Sequence, residues 1–143
     1  MGLDAAVFKN LQSFPPQIRN QLRLVDVRTG ELDFIEDVSP KERSENFFVA
    51  IDERIGNAAT VHWLAQEIQQ SSRVGCNVLL SAVFYSGSHG GDVLTAAQIA
   101  ILEQELDGID AGGEETGLLS DFVATMRRLI AASREEGNPI VFV

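Results

Sequence analysis

"LLSDFVATMRRLIAASREEGNPIVFV", residues 118–143, carries both kinds of secondary structure in one stretch. Leu119, Phe122, Val123, Met126, Leu129, Ile130 and Ser133 recur at helical spacing, while Arg127, Arg128 and Arg134 fall off that stripe. Side chains three and four positions apart share a helix face, so the spacing predicts an amphipathic helix with its arginines outside. Gly137 stands where a helix-ending residue belongs, and Arg134 complements the negative end of the helix dipole. Pro139 then precedes Ile140-Val141-Phe142-Val143, whose β-branched and aromatic composition is that of a strand. Such a terminal strand has to pair or stay exposed as an edge.

Working back from there, 107–115 ("DGIDAGGEE") reads as a glycine-rich, acidic connector. Thr95 and Gln98 have capping-box spacing, so a helix is expected from there, carrying Ile99, Leu102 and Leu106 inward and ending at Gly108. Val78 to Phe84, "VLLSAVF", is a continuous apolar run that predicts a strand buried on both faces and central in its sheet. Asn57 is placed to cap a helix running to about Gln70, with Val61, Leu64, Ala65 and Ile68 on one face. In "NFFVAIDERIGN", 46–57, the positions of Phe47, Phe48, Ala50, Ile51 and Ile55 suit a helix better than a strand, with Gly56 ending it. Ser39-Pro40 has the form of a helix cap followed by a first-turn proline. Leu22 to Val27 and Leu32 to Ile35 predict a hairpin turned by Thr29-Gly30. Phe14-Pro15-Pro16 breaks the chain, and Leu3 to Phe8 reads as a first strand.

These elements predict one α+β domain over 1–143, a mixed sheet of about four or five strands packed with three or four helices. Its 143 residues suffice for a substantial core, and 45% hydrophobic with 22% charged residues is globular composition. The sequence has no repeat, low-complexity tract or domain linker. The start, "MGLDAAVFKN", does not read as a signal peptide and no stretch has membrane-spanning hydropathy, so a soluble cytoplasmic protein without a membrane role is expected. The single Cys76 excludes an intrachain disulfide.

Charge is the most informative total. There are 21 acids against 11 bases, a formal net of -10, which sets a repulsive field against phosphate backbones and disfavours nucleic acid. From Val74 to Met126 there is no Lys or Arg, while Asp92, Glu103, Glu105, Asp107, Asp110, Glu114, Glu115 and Asp121 fall inside the span. Glu103, Asp107 and Asp110 sit at i, i+4 and i+7, each like-charge pair costing about 0.2–0.5 kcal/mol on a shared helix face. Either an arginine folds in from elsewhere, Arg73 or Arg127, or the face docks a cationic partner. A calcium loop starting at Asp107 fails, because Ile109 and Ala111 occupy ligand positions.

The side chains suited to chemistry concentrate in "YSGSHGGD", 85–92, between the apolar run and the next helix. It lacks the G-x-S-x-G frame of a nucleophile elbow, the Gly-Lys-Ser/Thr of a phosphate loop and the spacing of a dinucleotide fingerprint. What remains is His89 three residues from Asp92, near Tyr85, Ser86 and Ser88. An imidazole beside a carboxylate is a minimal general-base pair. With His62 added, the same two residues could begin a metal site, although two histidines in the chain leave carboxylates to supply the rest. The simpler role is a turn, glycine permitting close backbone approach while Asp92 and His89 close it. His62, beside Trp63 and one step off the apolar stripe, reads as a boundary residue.

"MGLDAAVFKN", "RIGNAATVHWLAQEI" (54–68) and "YSGSHGGD" with its following acidic helix resemble small bacterial proteins, some of them like the immunity proteins of toxin systems. The resemblance implies a small, acidic, cytosolic protein that binds and inhibits a toxin; it assigns no catalytic residue. Three expectations follow. The first is a non-catalytic binding protein without a cofactor, meeting a basic protein partner such as a toxin through Tyr85, Ser88, His89, Asp92, Glu103, Asp107 and Asp110. The second is a general-base or metal-dependent enzyme using His89 and Asp92. The third is a homo-oligomer joined through the terminal "IVFV" edge.

Overall fold

The computed structural model describes residues 2–36, 47–71, 78–85, 89–111 and 117–143. The expected helix start at Ser39-Pro40, and Arg73, Cys76, Ser86, Ser88, Glu114 and Glu115, lie outside the described residues. The fold is α+β. Strand β1 (Gly2–Phe8) leads through a 3-10 turn to the one-turn helix α1 (Pro16–Arg19), then to the hairpin β2 (Leu22–Asp26) and β3 (Glu31–Phe34). Next come β4 (Val49–Asn57), α2 (Ala58–Ser71), a π-helical turn at Leu79–Val83, β5 (Val93–Leu94), α3 (Ala96–Ala111), α4 (Gly117–Glu136) and β6 (Ile140–Phe142).

The main sheet has the order β4-β1-β6-β5, and β2-β3 forms a separate two-stranded ribbon. Its pairings are antiparallel throughout, in place of the expected mixed sheet. Leu3, Ala5 and Val7 of β1 alternate onto the face that also carries Ile140 and Phe142, and there they meet α2, α3 and α4 in one core. Leu102, Leu106, Met126 and Leu129 are fully buried in it, which bears out the inward stripes read for α3 and α4. A satellite cluster of Phe14, Leu22, Leu32 and Phe34 is closed by Phe47 and Phe48, whose rings approach those of Phe34 to 5.3 and 5.4 Å.

The caps act as read. The Asn57 side chain accepts the Thr60 N–H at 2.8 Å to start α2, and Thr95 and Gln98 exchange hydrogen bonds at the start of α3. Gly137 ends α4 at φ 69°, its N–H reaching the Ser133 carbonyl at 2.8 Å. The hairpin is also as read.

Four readings are corrected. Residues 49–57 are a strand: Ala50, Asp52 and Arg54 point to solvent while Ile51, Glu53 and Ile55 turn inward, a period of two that the inward charge of Glu53 disguised. Arg128 of α4 answers that charge at 2.7 Å. "VLLSAVF" is no strand. Glu105 takes the N–H groups of Val78 and Leu79, and the Phe84 N–H closes five residues back on the Leu79 carbonyl, so the backbone hydrogen bonds of the run are spent in a turn. Gly108 does not stop α3, which continues to Ala111. The terminal strand is not an edge either: β6 pairs with β1 on one side and β5 on the other. The actual edges are β5, two residues long, and β4, charged and carrying register shifts, both forms that discourage pairing with another chain.

Candidate functional site

The segment 85–92 folds around His89. Its imidazole is 4% exposed, lying between the Phe142 ring at 4.2 Å and the Tyr85 ring at 4.5 Å. Nε2 is 2.9 Å from the Val83 carbonyl, an acceptor only, so Nε2 carries the hydrogen and donates it. The Nδ1 atom faces Asp92 Oδ2 at 3.3 Å without a hydrogen-bond partner. The Tyr85 hydroxyl donates to the same carboxylate oxygen. Gly91 accepts Arg28 Nη2 at 2.7 Å, which ties the hairpin tip to this segment, and its N–H bonds the Phe142 carbonyl at 2.7 Å.

Thus Tyr85, His89 and Asp92 converge, as the expectation of a site there requires, but His62 does not join them. It is exposed on α2, and the described residues contain no cluster of three His, Cys, Asp or Glu. Glu103 and Asp107 lie elsewhere, on α3, where α4 answers them. Arg134 grips Glu103 with both terminal nitrogens, and Arg127 reaches Asp107 at 2.9 Å. The glutamate pushes the Arg134 guanidinium further up, chiefly through that hydrogen bond. Glu103 and Asp107 of the α3 row are therefore locally paired, by Arg127 as one of the two readings anticipated and by Arg134, which the sequence placed only at the helix end. Asp110 lies in the last turn of α3, and Ser88 falls outside the described residues.

Glu105 was read as one of the surface acids. It is buried, 2% exposed, and its carboxylate accepts Val78 N–H at 2.9 Å and Leu79 N–H at 3.3 Å. Burial pushes its carboxyl above the ordinary range, opposed by the Leu79 and Val78 hydrogen bonds. The signal was present: Glu105 lies three residues after Leu102 and beside Leu106, on the inward stripe.

The β2–β3 hairpin presents a second surface. Register places Asp26 across from Glu31 and Arg23 across from Asp33, so one ribbon face holds three acids and one base. Directly opposed like charges are unfavourable in a ribbon, so the Asp26–Glu31 pair costs stability. Val25, Val27 and Ile35 stand exposed nearby, Val27 to 86%, while Leu24, also exposed, lies on the other face across from Leu32. No described helix is long and apolar enough to cross a membrane. Comparison of the chain with protein families, curated proteins and solved structures found no match.

Proposed function

We propose that this chain is a non-catalytic, acidic binding protein for a basic protein partner, and that it docks through the β2–β3 hairpin. One observation carries the reading: exposed Val25, Val27 and Ile35 adjoin a ribbon face on which Asp26 and Glu31 oppose each other and three acids outnumber Arg23. Apolar side chains beside a face with an excess of acids suit a partner that is itself apolar and cationic at the contact. Internal pairing does not alter the formal net of -10, so the long-range field still favours cations. The α3 row is a weaker docking surface, because Arg127 and Arg134 already occupy Asp107 and Glu103. A basic toxin held in a cytoplasmic complex is the narrower form of the proposal.

The catalytic alternative on His89 and Asp92 is less well supported. The Nε2 hydrogen is committed to Val83, and the ring is buried, so a substrate would find neither ring nitrogen open. The test is affinity capture from the native host with the natural chain and with the double variant Val27→Ser, Glu31→Lys, both positions being exposed. A basic protein retained by the natural chain and at least about tenfold weaker on the variant is expected, matching loss of roughly 1.4 kcal/mol. Equal retention by both chains excludes the hairpin, and recovery of acidic or neutral proteins alone excludes the basic partner.

A further inference from the structure

The geometry points to strand addition at the hairpin: an extended segment of alternating apolar and basic residues in the partner pairs with the outer edge of β2. Such pairing rests on the hairpin being the docking surface proposed above, and adds the part that the backbone plays there.

Hydrogen-bond alternation decides which backbone groups are turned outward. The Ile35 N–H donates to the Gln21 carbonyl at 2.8 Å, and the register pairs Leu22 with Phe34, Arg23 with Asp33 and Leu24 with Leu32. Bonded and non-bonded pairs alternate along an antiparallel ribbon. Arg23 and Asp33 therefore bond each other, while Leu22 and Leu24 turn their N–H and C=O groups away from β3, as Leu32 and Phe34 turn theirs away from β2. On the β3 side the Phe34 N–H is taken by the Asp33 carboxylate at 2.8 Å. On the β2 side no described strand follows, since the ribbon has two strands. Leu24 is 52% exposed, although it lies across from buried Leu32 on the apolar face. A strand laid beside β2 pairs with the outward groups of Leu24 and covers its side chain.

The two faces of the ribbon set the sequence of that strand, because its side chains alternate between them. On one face they meet Leu24 and the cluster of Phe14, Leu22, Leu32 and Phe34 beyond it, which selects apolar residues. On the other they meet Asp26, Glu31 and Asp33, with Arg23 among them, which selects Lys or Arg at every second position. Backbone bonds then supply affinity and the alternate side chains selectivity. The register shift between Leu24 and Asp26 bends β2, so the added strand is short and centred on Leu24. The main sheet is a poorer template: β5 has two residues, and β4 is charged and carries register shifts.

The experiment uses the isotope-labelled full chain, with an alternating valine–lysine octapeptide as the probe. In the chain alone the Leu24 amide should exchange with solvent faster than the Arg23 amide, which points at Asp33. Saturating peptide should slow Leu24 exchange at least about tenfold. Replacing lysine by glutamate in the peptide should weaken binding at least about tenfold. N-methylation of alternate peptide residues should weaken binding at least about tenfold in one phase, through lost hydrogen bonds, and leave it unchanged in the other. Strand addition is overturned by a Leu24 amide no faster than that of Arg23 in the chain alone, by no binding of the lysine peptide, by equal binding of the glutamate peptide, or by equal effects of the two methylation phases. The hairpin reading itself is decided separately, by capture of a basic partner and its loss in the Val27→Ser, Glu31→Lys variant.

Discussion

Glu105 shows how one side chain redirects an element. Its carboxylate captures two N–H groups at the head of the 78–84 run and so removes them from any sheet. Leaving a buried donor unpaired costs about 1–3 kcal/mol, so Glu105→Ala should lower stability by roughly 2 kcal/mol in urea denaturation. The sign of the pH effect follows from the raised carboxyl. The folded state holds that proton more tightly than the unfolded state, so its contribution is full below about pH 4.3 and is lost as pH rises through the elevated folded value. The stability gap between the natural chain and Glu105→Ala should therefore narrow upward through that window. A gap that widens with pH would mean that the carboxylate, not the acid, is the favoured buried form. That Tyr85, His89 and Asp92 lie together was legible from their spacing in sequence, but the Val83 partner of His89 was not, because a backbone acceptor leaves no mark in composition.

Among the elements, those with a local signal matched their sequence reading. Caps at Asn57 and Thr95, the apolar stripe of α4 and the Thr29-Gly30 turn each depend on neighbours a few residues away. Readings failed where the deciding partner was distant: β4 needs β1, and the π-helical turn needs α3. Two glycines test the turns. Gly137 has φ 69° and a Cβ there would meet nothing closer than Asn10 Nδ2 at 3.9 Å, so Gly137→Ala should cost only the conformational penalty, about 1–2 kcal/mol. Gly30 has φ 81° and lies against the Asn138 side chain, which itself donates to the Phe8 carbonyl at 2.8 Å. Gly30→Ala should therefore cost more than Gly137→Ala in thermal unfolding. Equal losses would show that Asn138 yields freely and that the hairpin is not braced there.

At the scale of the whole molecule, net charge was readable from composition, but its distribution was not. The span without cations, 74–126, folds so that α4 lays Arg127 and Arg134 against α3, and the face that looked most negative in sequence is paired. On the hairpin three acids and Arg23 share one face beside exposed apolar side chains, a grouping that strand alternation hid in the sequence. Both edges of the main sheet are short or charged, forms that discourage strand addition there. The most direct measurement is the association rate of the chain with its captured partner at about 0.15 M and about 1 M salt, between which the screening length falls from about 8 to about 3 Å. Steering by the acidic surface predicts a steep fall in that rate, with a smaller change in dissociation. A rate that is the same at both salt concentrations would contradict it.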